Sequence, residues 1–200
     1  MAKNLFPETI DKISNELTPM VATARLIKQE HPDASVVFIG PCASKKLEAS
    51  RRTVRSDVDF VITFEELTGM FEAKGILLDE IKAMDEMKDA TAAGRGYGVA
   101  GGVANAIKEC IEKYYPGTPV NIQHAESLAE CKKALLLAKA GKMNGCLIEG
   151  MACPGGCIAG AGTNIAIPIA ARAVDKFKNE AEKKVPDESV DQEMVELEKE

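Results

Sequence analysis

The sequence predicts an α/β protein built on largely parallel sheets that are flanked by helices. Short apolar runs rich in β-branched residues alternate with longer stretches of helical periodicity, a pattern typical of parallel strands joined by helices. The 200 residues suit one domain or two small lobes, and this length is sufficient to bury a core.

The first half of the chain contains two predicted helices and two predicted strands. A helix is expected to begin after Thr18 as N-cap, with Pro19 as its first residue, and to end near Glu30. The run SVVFIG (residues 35–40) is continuous and β-branched, which predicts a strand buried on both faces. The run DFVITFEEL predicts a second strand that leads into a helix near Glu65.

The second half repeats the alternation of strand and helix. A long helix is predicted after the glycines of GRGYGVAGGVANAI, and VNIQHAE is a third candidate strand. Ser127 and Glu130 have the spacing of a capping box, so the next helix is expected to start there. The run NGCLIEGMA predicts a fourth strand, and IPIAARAVDKFKNEAEKK predicts a closing helix.

Charge and hydropathy argue against several classes of protein. The net charge of −6 disfavours nucleic acid or an anionic membrane as the main partner. No apolar run reaches the roughly 18 residues that would span a bilayer, and the first residues show no signal peptide, so a cytoplasmic protein is expected. The main domain is predicted over residues 1–186, followed by an acidic tail over residues 187–200.

The six cysteines divide into two groups by their surroundings, and a disulfide framework is not expected in such a chain. The first group lies on apolar stripes or in an apolar run, which predicts small core residues. These are Cys110, Cys131 and Cys146. The second group consists of Cys42, Cys153 and Cys157, each beside proline or glycine just past a predicted strand. Ligands bind beyond the carboxyl ends of parallel strands, so these three thiols are expected to converge in one crevice.

Convergent thiols point to a soft metal, since thiolates suit iron–sulfur clusters, zinc or Cu(I). The C-x-x-x-C spacing of Cys153 and Cys157 differs from the C-x-x-C of zinc knuckles and thioredoxin-type pairs, and does not by itself choose among these metals. Lys45 follows Cys42 by three residues, and Glu48 follows Lys45 by three. On a helix starting at this loop, Lys45 could donate to an anionic ligand of the metal while Glu48 orients it.

Two motifs, PCASKKLEA and EGMACPGGCIAGAG, resemble the second and third signature motifs of the iron-only hydrogenases, in the catalytic domain of the large subunit. The glycine stretch GVAGGVANAI lies between them in matching order, and the resemblance spans roughly residues 6–180. The resemblance implies two lobes with the cluster site in the cleft between them. It also implies an H-cluster: a 4Fe–4S cubane bridged through a cysteine to a two-iron site carrying CO, cyanide and a dithiolate.

The resemblance also implies a role for each site residue. Cys42 and Cys153 would be cubane ligands, and Cys157 would be the bridging ligand. Lys45 would donate to a cyanide of the two-iron site. Three further residues, the candidate cofactor-binding positions, would line the site: Pro41, Glu48 and Met151. The other basic residues near Lys45 are expected on a solvated helix face, namely Lys46, Arg51, Arg52 and Arg55.

Proteins of this family reversibly make H2 from protons and electrons, with a ferredoxin-like carrier or a signalling domain as partner. The family's first cysteine motif, which supplies the fourth cubane ligand, has no counterpart before Phe6. The chain is therefore expected to be a fragment, with a natural chain that has lost this ligand as the alternative, and on its own it is expected to lack hydrogenase activity and a stable H-cluster. The third motif with its tail IAGAGTN, together with the stretch GYGVAGGV, resembles more closely the hydrogen-sensing branch of the family. A non-catalytic assembly homologue is disfavoured because Lys45 and Cys157, which serve only the two-iron site, are present.

Overall fold

The computed structural model describes residues 1–51, 56–82 and 89–185. The strands within these residues are β1 Val37–Ile39, β2 Phe60–Ile62, β3 Asn121–Glu126 and β4 Cys146–Met151. The α-helices are α1 Ala2–Leu5, α2 Pro19–Glu30, α3 Ser44–Ser50, α4 Phe64–Ala73, α5 Ala92–Arg95, α6 Gly102–Tyr114, α7 Leu128–Lys139 and α8 Ile167–Asn179. Short 3-10 segments occur at Pro7–Lys12, Leu78–Glu80 and Cys157–Ala159. The predicted acidic tail, Arg52 and Arg55 lie outside the described residues.

The described chain divides into two compact units. The larger unit comprises residues 1–14, 89–159 and 166–185, and the smaller unit comprises residues 15–51, 56–82 and 160–165. Within the described residues each unit has one two-stranded parallel sheet, β1 with β2 in the smaller unit and β3 with β4 in the larger. The predicted α/β class, with parallel sheets and flanking helices in two lobes, is confirmed.

The core of the smaller unit lies between α2 and one face of its sheet. Met20 and Val21 of α2 are buried there, and Phe38 of β1 packs against them. The prediction that β1 is buried on both faces is wrong, because Val37 and Ile39 are 44% and 43% exposed. Side chains alternate along a strand, so these two lie on the face opposite Phe38.

A capping box fixes the turn between β2 and α4. The hydroxyl of Thr63 accepts from the Glu66 amide at 3.2 Å, and the Glu66 carboxylate accepts from the Thr63 amide at 2.8 Å. Both donors would otherwise lack an intrahelical partner. The helix therefore begins at Phe64, next to the predicted start near Glu65.

The sheet of the larger unit is a strand–helix–strand unit in which α7 connects β3 to β4. The register pairs Asn121 with Cys146 at the start of the two strands and Glu126 with Met151 at their end. Two of its helices bury small side chains, α6 at Ala104 and Ala106 and α7 at Ala134 and Ala138. The parallel strands thus end side by side at Glu126 and Met151, where the chain leaves β4 toward Cys153.

The predicted capping box of α7 forms only in part. The Ser127 hydroxyl accepts from the Glu130 amide at 3.2 Å, as expected. The Glu130 carboxylate, however, accepts from the Glu126 amide at 2.8 Å rather than from Ser127. The reason is that the Ser127 amide already donates to the Met151 carbonyl at 2.8 Å, which extends the sheet contact by one residue.

The closing helix is shorter than predicted, since α8 ends at Asn179. Beyond it, the carbonyls of Lys183 and Lys184 accept from the amides of Ala92 and Ala93, at 2.8 and 3.1 Å. Ala92 and Ala93 are the first residues of α5, whose amides have no intrahelical acceptor. The residues after α8 therefore cap α5 instead of continuing the helix.

Candidate metal centre

The connection between β1 and α3 carries Cys42 in the smaller unit. Cys42 is half-buried, and its carbonyl accepts from the Lys45 amide at 3.2 Å, so the helix starts at this loop as predicted. The Pro41 carbonyl accepts from the Gly162 amide at 3.0 Å. A Cβ on Gly162 would lie 2.4 Å from the Cβ of Thr63, so only glycine fits beside this turn. The backbone on either side of Cys42 is thereby fixed.

Lys45 is held by a short chain of polar contacts. Its ammonium lies 2.6 Å from one carboxylate oxygen of Glu48, and the hydroxyl of Thr18 donates to the other oxygen at 2.5 Å. The side chains of Lys45 and Glu48 are each 22% exposed. An ammonium has three donors, so the contact to Glu48 leaves Lys45 able to donate to a further acceptor. The predicted pairing of Lys45 with Glu48 is present.

The hydroxyl of Thr18 does not cap α2. Thr18 occupies the N-cap position with extended backbone, but makes no side-chain bond to the helix. Its hydroxyl is directed to Glu48, where the acceptor is a charged carboxylate and the hydrogen bond is correspondingly stronger. Sequence reasoning placed Thr18 correctly and missed this contact, because the partner lies thirty residues further along the chain.

The other basic residues beside Lys45 are exposed where the structure describes them, as expected of a solvated face. Lys46 and Arg51 are both exposed. Lys46 forms an ion pair with Glu66 of α4. That hydrogen bond is the main reason why the pKa of the Glu66 carboxyl lies below its usual value.

The cysteine loop (residues 152–158) leaves β4 and carries Cys153 and Cys157. Cys153 is half-buried, Cys157 is exposed, and the Cys153 carbonyl accepts from the Gly156 amide at 3.0 Å. Gly155 and Gly156 have φ of +92° and +90°, a conformation that favours glycine. Two consecutive glycines of this kind bend the loop sharply between its two thiols.

The glycine segment (residues 96–102) forms one wall of the cysteine loop. The Ala100 amide donates to the Gly155 carbonyl at 3.1 Å, and the Ile158 amide donates to the Gly98 carbonyl at 3.3 Å. An isolated antiparallel bridge joins Val99 to Gly156 between these bonds. The two glycine-rich stretches that the sequence singled out separately are therefore paired through their backbones.

The carboxylate of Glu126 anchors the cysteine loop from the other side. It accepts from the Gly155 amide at 2.9 Å. Glu126 is the last residue of β3 and pairs in register with Met151, which is half-buried at the end of β4. The loop is thus tied to the sheet at its start through Met151 and near its middle through Gly155.

Glu149 is a buried carboxylate that sequence reasoning did not single out. It is 8% exposed and accepts from the amides of Gly101, Val103 and Ala104 at 2.5, 3.0 and 3.1 Å. Nδ1 of His124 lies 3.3 Å from the same carboxylate. Two signals were available: Glu149 is the first residue of the motif EGMACPGGCIAGAG, and it is a charged residue inside the apolar run CLIEGMA, where a carboxylate is rarely buried without several donors.

Tyr97, in the glycine segment, is itself partly buried and lies near Glu149. The pKa of its phenol is raised, mainly because the side chain is buried, and further by the negative charge of the nearby Glu149 carboxylate.

The remaining cysteines are less buried than predicted. None of the six is in a disulfide, and Cys110, Cys131 and Cys146 are all half-buried. Cys131 and Cys146 line a cavity of about 590 Å³ in the larger unit, and burial raises the pKa of the Cys131 thiol. The prediction that Cys146 is a core residue is wrong, because its sulfur lies at the open start of β4, 3.3 Å from Asn121 Nδ2.

The thiol donors are divided between the two units. Cys42 belongs to the smaller unit, whereas Cys153 and Cys157 belong to the larger. Among the residues that the structure describes, no group of three or more His, Cys, Asp or Glu side chains is arranged to hold a metal ion. Soft thiolates in glycine-rich loops match the donors of an iron–sulfur cluster. The convergence of all three thiols stays a prediction.

Comparison with known proteins identifies the family. Residues 1–161 match the family model described as iron only hydrogenase large subunit, C-terminal domain. The chain belongs to this family.

Two curated relatives are hydrogenases. The chain is 27% identical to the periplasmic iron hydrogenase large subunit of Nitratidesulfovibrio vulgaris, over 88% of this chain and 51% of the relative. It is 26% identical to iron hydrogenase 1 of Clostridium pasteurianum, over 80% of this chain and 35% of the relative. A shorter match, 39% over 69 residues, joins 34% of this chain to 15% of a cytosolic Fe–S cluster assembly factor of Kluyveromyces lactis.

Solved structures confirm the fold. An FeFe-hydrogenase structure on stepwise H-cluster assembly matches with a TM-score of 0.65 and 20% identity, over 92% of this chain and 65% of that chain. An FeFe-hydrogenase of Chlamydomonas reinhardtii matches with a TM-score of 0.64 and 20% identity, over 92% and 65%. The chain spans about half or less of the length of the two curated hydrogenases. In the described residues, no helix has the length and apolar character needed to cross a membrane.

Proposed function

We propose that this chain is the cluster-bearing part of an iron-only hydrogenase, in which Cys42 and Cys153 are ligands of a 4Fe–4S cubane. Cys157 is the ligand that bridges to a two-iron site. The observation that carries this proposal is the cysteine loop, whose two thiols are separated by left-handed glycines and seated against a second glycine-rich segment. Such a backbone allows close approach to a cluster, because its glycines carry no side chain.

Lys45 is the residue of this chain that would interact with the two-iron site. Its ammonium is positioned by Glu48, which is itself fixed by Thr18. A charge-assisted hydrogen bond to an anionic ligand needs such a restrained donor. Pro41 and Met151 would line the site from the ends of β1 and β4. The bound H-cluster would supply the reversible conversion of protons and electrons to H2.

The partners and the compartment are proposals as well. The chain would exchange electrons with a ferredoxin-like carrier or act on a signalling domain, with no role in binding nucleic acid or membranes. The net charge of −6 supports this choice, since it disfavours polyanionic partners. A cytoplasmic location is proposed, although the relative from Nitratidesulfovibrio vulgaris is named as periplasmic.

Two alternatives remain as proposals for the same site. A hydrogen-sensing homologue would keep the whole site and turn over slowly, and the tail of the third motif, IAGAGTN, together with GYGVAGGV favours it. A non-catalytic assembly homologue is favoured by the 39% match to the assembly factor. It would hold a cubane without needing Lys45, so the effect of replacing that residue separates it from the others.

Anaerobic reconstitution with iron and sulfide, followed by iron counting and an H2 assay, tests the proposal. The wild-type chain is expected to take up iron weakly, to hold fewer than a full cubane and to produce no H2 alone, because three thiolates leave one iron corner open. Cys42→Ala and Cys153→Ala should lower the retained iron, whereas Cys131→Ala, the matched control, should not. Equal retention in all four proteins, or no uptake at all, would contradict the assignment.

A further inference from the structure

We propose that Glu149 is a positioning residue for the cluster ligands: its buried carboxylate holds the glycine segment in the conformation that supports the cysteine loop. This inference rests on the proposed function, because Cys153 and Cys157 are cluster ligands only there. Glu149 lies four residues before Cys153, on β4, and its carboxylate accepts from the backbone amides of Gly101, Val103 and Ala104. It would act through the backbone of another segment.

The first step is that the end of the glycine segment and the first turn of α6 together satisfy the charge of Glu149. A carboxylate that is 8% exposed needs several donors, since an unpaired buried charge is strongly unfavourable. One oxygen accepts from the amides of Val103 and Ala104, and the other accepts from Gly101. These amides belong to the first turn of α6, where the helix dipole also favours a negative charge. Burial of Glu149 therefore requires the start of α6 to lie against β4.

The second step is that this contact constrains the cysteine loop. Gly101, bonded to Glu149, has φ of +85° and directly follows Ala100, whose amide donates to Gly155 of the loop. Glu149 is in the strand from which the same loop departs. The strand, the loop, the glycine segment and the carboxylate thus form a closed ring of covalent and hydrogen bonds. Opening the ring at Glu149 should release the loop.

A purely structural cap would predict something different. If Glu149 only stabilised α6, its loss would lower the stability of the whole larger unit and leave the relative protection of the loop unchanged. A positioning role predicts local opening. The amides that join the glycine segment to the cysteine loop (the seam), those of Ala100 and Ile158, should exchange faster. Local and global opening are separable by amide hydrogen exchange.

The test uses Glu149→Gln in the metal-free chain. Glutamine has the same size but turns an NH2 donor toward amides that are themselves donors. Exchange at the amides of Ala100 and Ile158 is expected to accelerate at least tenfold, which corresponds to about 1.4 kcal/mol. Two controls should leave these amides unchanged: Glu112→Gln, the same charge change at an exposed site of α6, and Ala106→Gly, which weakens α6 internally.

Alkylation of the loop thiols provides a second measurement. Relative to Cys131, Cys153 should react faster in Glu149→Gln than in the wild type, because the loop no longer keeps it half-buried. Glu149→Asp retains the charge on a shorter side chain and is expected to give an intermediate rate. It also serves as the folded variant if Glu149→Gln does not fold.

The outcomes separate this inference from the proposed function. The inference is overturned if Ala106→Gly opens the seam as much as Glu149→Gln or Glu149→Asp, or if exchange rises evenly across β3 and β4. Selective opening in a chain whose wild type takes up no iron would support the positioning role and contradict the cluster assignment. Iron uptake by the wild type with an unaltered seam in both Glu149 variants would support the cluster assignment and contradict the positioning role.

Discussion

Replacing Gly156 by alanine is expected to lower the free energy of unfolding of the larger unit by about 2–5 kcal/mol. Gly156 has φ of +90°, and a non-glycine residue in the left-handed region costs about 1–2 kcal/mol. The added Cβ would also lie 2.5 Å from the Ala100 nitrogen and 2.7 Å from the Gly98 oxygen. Both are backbone atoms, and overpacking of this kind costs a further 1–3 kcal/mol or so.

Gly117→Ala is the matched control, because it separates backbone strain from the clash. Gly117 lies in the same unit with φ of +87°, and a Cβ there would meet nothing within 4 Å. Its replacement should therefore cost only about 1–2 kcal/mol. Urea unfolding of the metal-free chain, followed by far-ultraviolet circular dichroism, measures both. If Gly156→Ala costs no more than Gly117→Ala, the glycine segment does not pack against the cysteine loop as described.

Three further predictions concern the smaller unit. Thr18→Val removes the hydroxyl that donates to Glu48 and should cost about 1 kcal/mol in urea unfolding, whereas Thr18→Ser should match the wild type; equal stability of all three would show that the contact contributes nothing. In a complete protein that carries the proposed H-cluster, Lys45→Asn should keep the cubane and weaken retention of the two-iron site, since asparagine cannot supply a charged donor. Unchanged infrared bands of CO and cyanide at full occupancy would argue against that role. The hydrogen bond from the Val36 amide is the main reason that the pKa of Asp59 is lowered. A carboxyl with a lowered folded-state pKa stabilises the fold above its unfolded pKa, and this contribution is lost as the pH falls through the folded value. Below about pH 4 the free energy of unfolding of Asp59→Asn should therefore decrease less steeply with falling pH than that of the wild type. The same pH dependence in both proteins, measured by urea unfolding, would contradict this.

Local patterns in the sequence were sufficient to predict the elements that frame the site. The helix after Thr18, the strands before Cys42 and Cys153, and the α/β class all follow from periodicity and turn residues, which act over a few positions. The same local rules gave wrong details where a remote partner was stronger. Thr18 was expected to cap α2, but a charged acceptor thirty residues away takes its hydroxyl.

The thiols of the candidate site could be predicted from the sequence, but the contacts that hold the cysteine loop in place could not. Cys42, Cys153 and Cys157 stand out because proline and glycine surround them. Glu149 opens the same motif as Cys153 and Cys157, but its role is not evident from the sequence, because its donors lie 45 to 48 residues earlier in the chain. The pairing of the two glycine stretches could not be predicted from the sequence either. Backbone hydrogen bonds can form between any two segments, so the glycines permit a close approach but do not specify the partner.

The most direct test of the central claim is a short cross-link between the thiols of the two units. If one cluster is held by Cys42, Cys153 and Cys157, their sulfur atoms lie within about 10 Å of one another. With the other cysteines replaced by alanine, a bismaleimide of that span should join Cys42 to Cys153 or Cys157 in the native chain, and much more slowly in urea. Mass spectrometry identifies the linked peptides. A cross-link confined to Cys153 and Cys157, or one to Cys42 that forms no faster in the native chain than in urea, would contradict the account.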